Sequence, residues 1–292
     1  MYDKHLVFDA SYEPEVPESS KIHVYLYEPS NILYDVIFLH GIGNRNIDYL
    51  MWFGDSLKEK GIRVSFMILP YHRERAPKGW QGGEPFYTTS PFSCRKHFHN
   101  AVSDVSKTLD VIENLRGYDP ERIGIIGVSF GGMIATIALA KDKRLKKGVL
   151  CCTGGDWRWI NWHSPYTEEL RRKYSEKGNE YGCRSEKQCA SFRKNAVNVV
   201  ESFKEIKDIF EKSPVACYHY DPLAFAKFVE QPVLFVEAIF DKVIPRASRK
   251  GLKRFLRNKK VIYIPSGHKG SYFFRKWLVK KIRKFLLTDW RI

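Results

Sequence analysis

The chain has 292 residues, of which 43% are hydrophobic and 14% aromatic, a composition that excludes a disordered or fibrous protein and allows one large core. Its net charge is +16, yet residues 242–292 hold 17 Lys or Arg against one acidic residue, so the remainder is close to neutral. No long apolar run occurs in residues 1–30 or beyond, so we expect a cytoplasmic protein without a signal peptide or membrane span.

Hydrophobic patterns along the chain predict short strands that alternate with helices. The predicted strands cover residues 5–9, 22–28, 34–39, 62–69, 122–126, 147–152, 232–239 and 260–264. The predicted helices cover residues 46–60, 94–116, 132–140, 247–257 and 271–287. The first two strands are expected to form a lead-in hairpin, and the run 34–39 is typical of a central parallel strand. This alternation predicts an α/β fold with about eight mostly parallel strands flanked by helices.

Residues 154–220 interrupt the alternation, because they are far longer than an ordinary connection between a strand and a helix. The segment is charged and begins with a cluster of aromatic residues. We interpret it as a helical cap inserted into a core formed by residues 1–153 and 221–292. A cap of this kind closes over an active site and excludes water. The alternative is a peripheral helical addition that leaves the cleft open.

The six cysteines are too few for a disulfide scaffold in a chain of this size. Cys151 and Cys152 fall in a predicted strand, where burial as small apolar side chains is expected. A bridge between Cys183 and Cys189 stays open, although the cytosol keeps thiols reduced. No spacing of Cys and His residues predicts a metal site.

The sequence Gly-Val-Ser-Phe-Gly at residues 127–131 lies between the strand 122–126 and the helix 132–140. A serine on a sharp turn from strand to helix needs small residues two positions away on each side, because the backbone there is strained and closely packed. Such a turn presents the serine hydroxyl at the carboxyl edge of a sheet. We therefore predict that Ser129 is a catalytic nucleophile.

A serine hydroxyl becomes nucleophilic when a neighbouring base accepts its proton, and the base needs an anionic partner. His268 lies in a Gly-flanked loop directly after the strand 260–264, which favours it as the base. Asp241 follows the strand 232–239 and is the predicted acid, since the carboxyl ends of parallel strands collect catalytic groups. Asp156, just past the preceding strand, is the competing acid.

The oxyanion that develops during acyl transfer needs preorganised N–H donors. The first predicted donor is the backbone N–H of Phe130. The second is the N–H of Ile42, with Gly41 as the alternative, in the His-Gly-Ile-Gly loop after the third strand. His40 in that loop is interpreted as an anchor rather than as a proton carrier. The residues assigned to the substrate pocket are His40, Tyr71, His72 and Trp157.

The order Ser129, Asp241, His268 resembles the catalytic set of the α/β-hydrolase superfamily, and the likeness covers nearly the whole chain. The resemblance implies that a Ser-His-Asp triad cleaves an ester, thioester or amide through an acyl-enzyme, without a cofactor. The loop 69–77, with residues 80–84, also resembles a subset of uncharacterised members that includes the family of α/β-hydrolase domain-containing protein 18. The oxyanion loop lacks the Gly-Gly-Gly run of one esterase branch, which argues against that branch.

We expect a carboxylic-ester hydrolase that acts on a small-molecule ester in an aromatic-lined, capped pocket. Three alternatives stay open: a serine peptidase or amidase, a lipid deacylase that docks on anionic membranes through the basic C-terminal third, and a non-catalytic binding module. The basic residues of the last two helices are interpreted first as solvent-exposed faces, and no motif predicts specific nucleic-acid binding. The sequence does not predict the oligomeric state.

Overall fold

The computed structural model of the protein describes residues 1–288. For Asn46 it describes the backbone but not the side chain. Asp289 and Arg291, which belong to the basic segment counted above, lie outside the described residues. Within residues 1–288 the chain forms one eight-stranded sheet with the order β1-β2-β4-β3-β5-β6-β7-β8. The prediction of an α/β fold with about eight strands is therefore confirmed.

The sheet is antiparallel at one edge and parallel over the remainder. β1 pairs antiparallel with β2, β2 pairs antiparallel with β4, and all other neighbours are parallel. The strands are β1 (Lys4–Asp9), β2 (Lys21–Tyr27), β3 (Tyr34–Leu39), β4 (Ile62–Met67), β5 (Ile123–Val128), β6 (Lys147–Cys151), β7 (Val233–Ala238) and β8 (Lys259–Ile264). Every residue of β3, β4 and β7 is buried, as expected for parallel strands covered on both faces.

Helices cover both faces of the sheet. They are α1 (Ile47–Lys58), α2 (Pro91–Ile112), α3 (Phe130–Lys141), α4 (Trp157–His163), α5 (Glu168–Lys177), α6 (Glu186–Phe192), α7 (Ala196–Ser202), α8 (Ile206–Glu211), α9 (Pro222–Ala226), α10 (Arg246–Phe255) and α11 (Arg275–Leu287). α1 and α11 pack on one face, while α2, α3, α9 and α10 pack on the other. Among residues 1–288, no helix is both long and apolar enough to cross a membrane.

Two helices begin three or four residues away from their predicted starts. α2 begins at Pro91 rather than at Cys94, because the Ser90 hydroxyl accepts a hydrogen bond from the N–H of Ser93 and caps the helix. The last helix begins at Arg275 rather than at Ser271, because residues 269–274 form a tighter 3-10 helix first.

The segment between β6 and β7 folds into the six short helices α4 to α9. A buried guanidinium holds its two ends together: Arg193 Nε lies 3.0 Å from Asp156 Oδ1, and Arg193 Nη2 lies 2.5 Å from Asp221 Oδ2. Asp221 Oδ1 also accepts a hydrogen bond from the N–H of Asp156 at 2.8 Å. The segment is therefore fastened where it leaves and re-enters the sheet. The division into a core and a cap stays a prediction.

Candidate active site

The turn between β5 and α3 holds Ser129 in a strained backbone conformation, with φ of 54° and ψ of −118°. A Cβ on Gly127 would lie 2.5 Å from the carbonyl oxygen of Gly131. A Cβ on Gly131 would lie 2.5 Å from the carbonyl oxygen of His40, which follows β3. Side chains do not tolerate such separations, so both positions need glycine. The tight turn fixes Ser129 at the carboxyl edge of the sheet.

Asp241 and His268 are in contact at the same edge of the sheet, in the loops that follow β7 and β8. His268 Nδ1 lies 2.7 Å from Asp241 Oδ2, and the Asp241 side chain is fully buried. The other carboxylate oxygen, Oδ1, accepts hydrogen bonds from the N–H groups of Val243 at 2.8 Å and Ile244 at 2.9 Å. The carboxylate is thus held on both sides and orients the His268 ring with Nδ1 as the donor.

Backbone hydrogen bonds tie the loops of the acid and the histidine to each other. The N–H of Ile239 donates to the carbonyl of Ile264, and the N–H of Phe240 donates to the carbonyl of Ser266, each at 3.0 Å. The Ser271 hydroxyl donates to the carbonyl of His268 at 2.7 Å. Because the two loops form one hydrogen-bonded unit, the separation of Asp241 and His268 does not depend on their side chains alone.

Ser129 and His268 line one cavity, together with Gly41 and Ile42. A Cβ on Gly41 would lie 3.5 Å from the Cβ of Ser129, so the loop after β3 runs directly past the serine. Phe130 is the first residue of α3, and the first N–H groups of a helix have no acceptor within the helix. The predicted nucleophile, base, acid and oxyanion-donor residues are therefore brought to one place on the sheet.

Two cavities meet at Ser129. The first encloses about 690 Å³, its mouth included, and lies under α4 and α5. Its aromatic lining consists of Phe86, Tyr87, Phe98, Phe130, Trp157, Tyr166 and Tyr220. The second has a volume of about 800 Å³ including its open mouth, lies between the strand ends and the helices α1 and α11, and is lined by His268. Ser129, Ile42 and Tyr166 line both, so a substrate bound at Ser129 can extend in two directions.

A family model described as alpha/beta hydrolase fold matches residues 35–174 of the chain. The matched range runs from β3 into α5 and contains the turn at Ser129. The chain has the α/β-hydrolase fold. The matched range ends before Asp241 and His268, so the match does not itself test the roles of these two residues.

Solved structures resemble this chain at low sequence identity. The acetyl xylan esterase from Paenibacillus sp. R4 is 16% identical, with a TM-score of 0.67 over 95% of this chain and 82% of that chain. The acylaminoacyl peptidase from Pyrococcus horikoshii is 15% identical, with a TM-score of 0.66 over 99% of this chain but only 42% of that chain. The enol-lactonase from Burkholderia xenovorans is 17% identical, with a TM-score of 0.58 over 92% of this chain and 97% of that chain.

These identities show a shared fold and nothing finer. No curated protein sequence matches the chain. The resemblance to the family of α/β-hydrolase domain-containing protein 18 stays a prediction.

The predicted substrate-pocket residues do not all line the two cavities. Trp157 lines the first cavity. His40, Tyr71 and His72 are instead fully buried behind the loops that follow β3 and β4, and neither cavity includes them. The Tyr71 ring packs edge-to-face on Phe86, with ring centroids 5.6 Å apart, and it is Phe86 that lines the cavity. The sequence identified the correct loops but not the direction of these side chains.

His40 and His72 fasten the oxyanion loop to the loop after β4. His40 Nε2 accepts a hydrogen bond from the N–H of Leu69 at 3.0 Å, and His72 Nε2 accepts one from the N–H of Gly43 at 3.1 Å. Burial lowers the pKa of His40 well below its usual value and lowers the pKa of His72 to about 4. Both rings are therefore neutral near pH 7, as acceptors of backbone N–H groups must be.

Asp156, the competing acid, is committed elsewhere in the fold. It caps α4 by accepting a hydrogen bond from the N–H of Arg158, and its carboxylate pairs with the buried Arg193 at 3.0 Å. The contact with His268 belongs to Asp241. The structure thus supplies a geometric reason to prefer Asp241.

The buried Arg249 of α10 is a residue of the site that sequence reasoning missed. Its Nε lies 3.0 Å from Glu237 Oε1. Its Nη1 donates to the carbonyl of Asp241 at 2.7 Å and also to the carbonyl of Ile244. Arg249 therefore clamps the loop that carries the acid. The sequence signal that could have identified Arg249 is its spacing in the helix, because it lies three residues before Leu252 and shares the inner face of α10 with it.

The six cysteines, which all lie within the described residues, are free thiols. Cys151 and Cys152 are buried, and Cys183 and Cys189 are not bridged. Across residues 1–288, no group of three or more His, Cys, Asp or Glu side chains is arranged to hold a metal ion.

Proposed function

We propose that the protein hydrolyses carboxylic esters through an acyl-enzyme on Ser129, with His268 as general base and Asp241 as its anionic partner. One observation carries the proposal. The buried Asp241 carboxylate contacts His268 Nδ1 at 2.7 Å, and this histidine lines the same cavity as a serine on a strained glycine-flanked turn. That combination matches the requirements of nucleophilic catalysis by a hydroxyl group.

The first half-reaction forms the acyl-enzyme. Because Nδ1 of His268 donates to Asp241, Nε2 is left as the acceptor for the Ser129 proton. The Ser129 oxygen attacks the ester carbonyl, and the oxyanion accepts hydrogen bonds from the N–H groups of Phe130 and Ile42, with Gly41 as the alternative second donor. His268 then gives the proton to the departing alcohol. The buried carboxylate stabilises the imidazolium cation formed between these steps.

The second half-reaction releases the acid. Water enters the position that the alcohol has left, and His268 takes its proton as the water attacks the acyl-enzyme. Proton transfer back to the Ser129 oxygen completes the cycle, and no cofactor takes part. The strained backbone at Ser129 and the hydrogen-bonded loops of Asp241 and His268 keep the reacting groups preorganised.

The cavities suggest how an ester is accommodated. The first is mostly apolar and lined by aromatic rings, so it suits the acyl group, whereas the second is adjacent to His268 and suits the alcohol that receives its proton. Among the proteins of similar fold are an acetyl xylan esterase and an enol-lactonase, which supports an ester substrate. A peptidase also has this fold, so amides are tested beside esters.

The proposal is tested with p-nitrophenyl esters from acetate to dodecanoate and with the corresponding p-nitroanilides. We expect ester turnover with a preference set by acyl length, much slower anilide cleavage, and loss of at least about 10³-fold in kcat for Ser129→Ala. Phe98→Ala enlarges the first cavity and should shift the preference to longer acyl chains. Phe92→Ala, an exposed residue of the same helix, is the matched control. Equal ester turnover by wild type and Ser129→Ala would exclude the mechanism.

A further inference from the structure

Two phenylalanines stand exposed beside the candidate active site. Phe240 is 65% exposed and Phe273 is 83% exposed. Phe240 immediately precedes Asp241, and its carbonyl oxygen would lie 3.6 Å from a Cβ on Gly267, the residue before His268. Phe273 lies in the 3-10 helix 269–274 that begins directly after His268. Large apolar side chains exposed next to a substrate entrance are typical of an interaction surface.

Three lysines flank the two rings. Lys242 lies two residues after Phe240, Lys276 lies three residues after Phe273, and Lys269 follows His268. All three are exposed, and within residues 1–288 none lies at ion-pair distance from a carboxylate. Lys269 Nζ lies 5.8 Å from the centroid of the Tyr166 ring, which lines both cavities. Positive charge therefore lies on the loop that carries Asp241, on the segment that follows His268 and beside the Tyr166 ring.

We propose that this rim, defined as Phe240, Lys242, Lys269, Phe273 and Lys276, docks the protein on an anionic lipid bilayer. Phenyl rings on neighbouring loops enter the boundary between headgroups and acyl chains, while lysine ammonium groups contact lipid phosphates. The combination fits a bilayer better than an acidic protein. The rim offers apolar rings and flexible ammonium point charges, which suit a fluid array of acyl chains and anionic headgroups and require no fixed partner geometry.

Docking in this way turns the entrance at Tyr166 toward the membrane surface. Amphipathic molecules held in the bilayer would then be close to Ser129 without crossing bulk water. The docking itself does not rest on the chemistry at Ser129, because the rim residues contact the bilayer whether or not an ester is cleaved. Ser129→Ala is therefore expected to bind vesicles as the wild type does.

The test is sedimentation of the protein with vesicles of phosphatidylcholine alone or with about 30 mol% phosphatidylserine, at low and high salt. We expect binding to the anionic vesicles that weakens at least about tenfold at high salt. The variant Phe240→Ser/Phe273→Ser should lose at least about tenfold in affinity, whereas Phe92→Ser, an equally large exposed ring on α2, should not. Lys242→Glu/Lys276→Glu should also weaken binding, and Lys107→Glu/Lys143→Glu is its charge-matched control.

Melting temperatures of all variants exclude unfolding as the cause of lost binding. Equal binding to neutral and anionic vesicles, full binding by the double phenylalanine variant, or equal losses in the controls would each overturn the proposal. Soluble polyglutamate serves as the acidic polypeptide. If it bound as tightly as the vesicles and independently of Phe240 and Phe273, the rim would be a site for acidic proteins instead.

Discussion

At the scale of single residues, the candidate site depends on a strained backbone and a buried carboxylate. Ser129 has φ of 54° and ψ of −118°, a conformation that costs about 1–3 kcal/mol for a residue with a side chain. The helix α3 and the close packing of Gly127 and Gly131 hold it there. Function and stability are therefore expected to oppose each other at this position.

Ser129→Gly and Ser129→Ala should differ in stability although both are inactive. Glycine adopts the conformation without steric strain. However, it lowers the free energy of unfolding by about 0.5–1 kcal/mol, because glycine gives the unfolded chain more conformational entropy. We expect the free energy of unfolding to be about 1 kcal/mol higher for Ser129→Gly than for Ser129→Ala. Urea unfolding of the two variants measures this difference. A Ser129→Gly variant less stable than Ser129→Ala would show that the turn is not strained.

At the scale of elements, the loop between β7 and α10 is held by a helix residue rather than by the catalytic pair. Arg249 joins Glu237 of β7 to the carbonyl groups of Asp241 and Ile244. A guanidinium can satisfy these partners at once because it has five N–H donors in a rigid fork, whereas the single ammonium of lysine cannot. Arg249 is thus a positioning residue in the proposed mechanism.

Arg249→Lys should lower the free energy of unfolding by about 2–3 kcal/mol, because it weakens a buried charged network. It should also lower kcat for a p-nitrophenyl ester about tenfold with little change in KM, since the Asp241 loop loosens while the acyl cavity is untouched. Arg254→Lys is the matched control, because Arg254 lies on the same helix in an exposed pair with Glu201. If Arg249 had only a structural role, Arg249→Lys would lower the stability without lowering kcat at a nearly constant KM.

Sequence patterns predicted the strands and most helices because burial is periodic and local. β3 and the strand after α10 were predicted to within a residue of their observed bounds. The loops that carry Asp241 and His268 were also found, since loops at the carboxyl ends of parallel strands share one edge of the sheet. Their catalytic roles stay predictions.

The sequence did not predict the directions in which the loop side chains point. His40, Tyr71 and His72 were assigned to the pocket, but they fill the space behind it. The two histidines accept hydrogen bonds there from backbone N–H groups of distant loops, and the Tyr71 ring packs on Phe86. The place of Arg249 depends likewise on a carboxylate twelve residues away on a different element. Such contacts follow from tertiary packing and leave only a weak trace in the order of residues.

At the scale of the whole molecule, several histidines are buried in the neutral state. Burial lowers the pKa of His40 well below its usual value, and lowers the pKa values of His72, His99 and His219 to about 4. The unfolded chain binds protons at these sites below about pH 6.5 while the folded protein does not. Stability should therefore fall as the pH decreases from 6.5 toward 4.

His72 alone should account for a loss of about 2 kcal/mol between pH 8 and pH 5, given a folded pKa of about 4 and an unfolded value near 6.5. Glutamine at this position keeps an acceptor for the N–H of Gly43 but does not titrate. The difference in unfolding free energy between wild type and His72→Gln should thus shift by about 2 kcal/mol in favour of the variant on acidification. Urea unfolding of both proteins at pH 8 and pH 5 measures this shift. If the difference in unfolding free energy were the same at both pH values, His72 would not be neutral in the folded protein.

The central claim, that Ser129 is a nucleophile activated by His268, is tested most directly by covalent labelling with a fluorophosphonate, followed by intact mass and peptide mapping. The account predicts one label per wild-type chain, located on Ser129, with no label on Ser129→Ala and much slower labelling of His268→Ala. Absence of labelling in the wild type, or labelling of Ser129→Ala to the same extent, would contradict it.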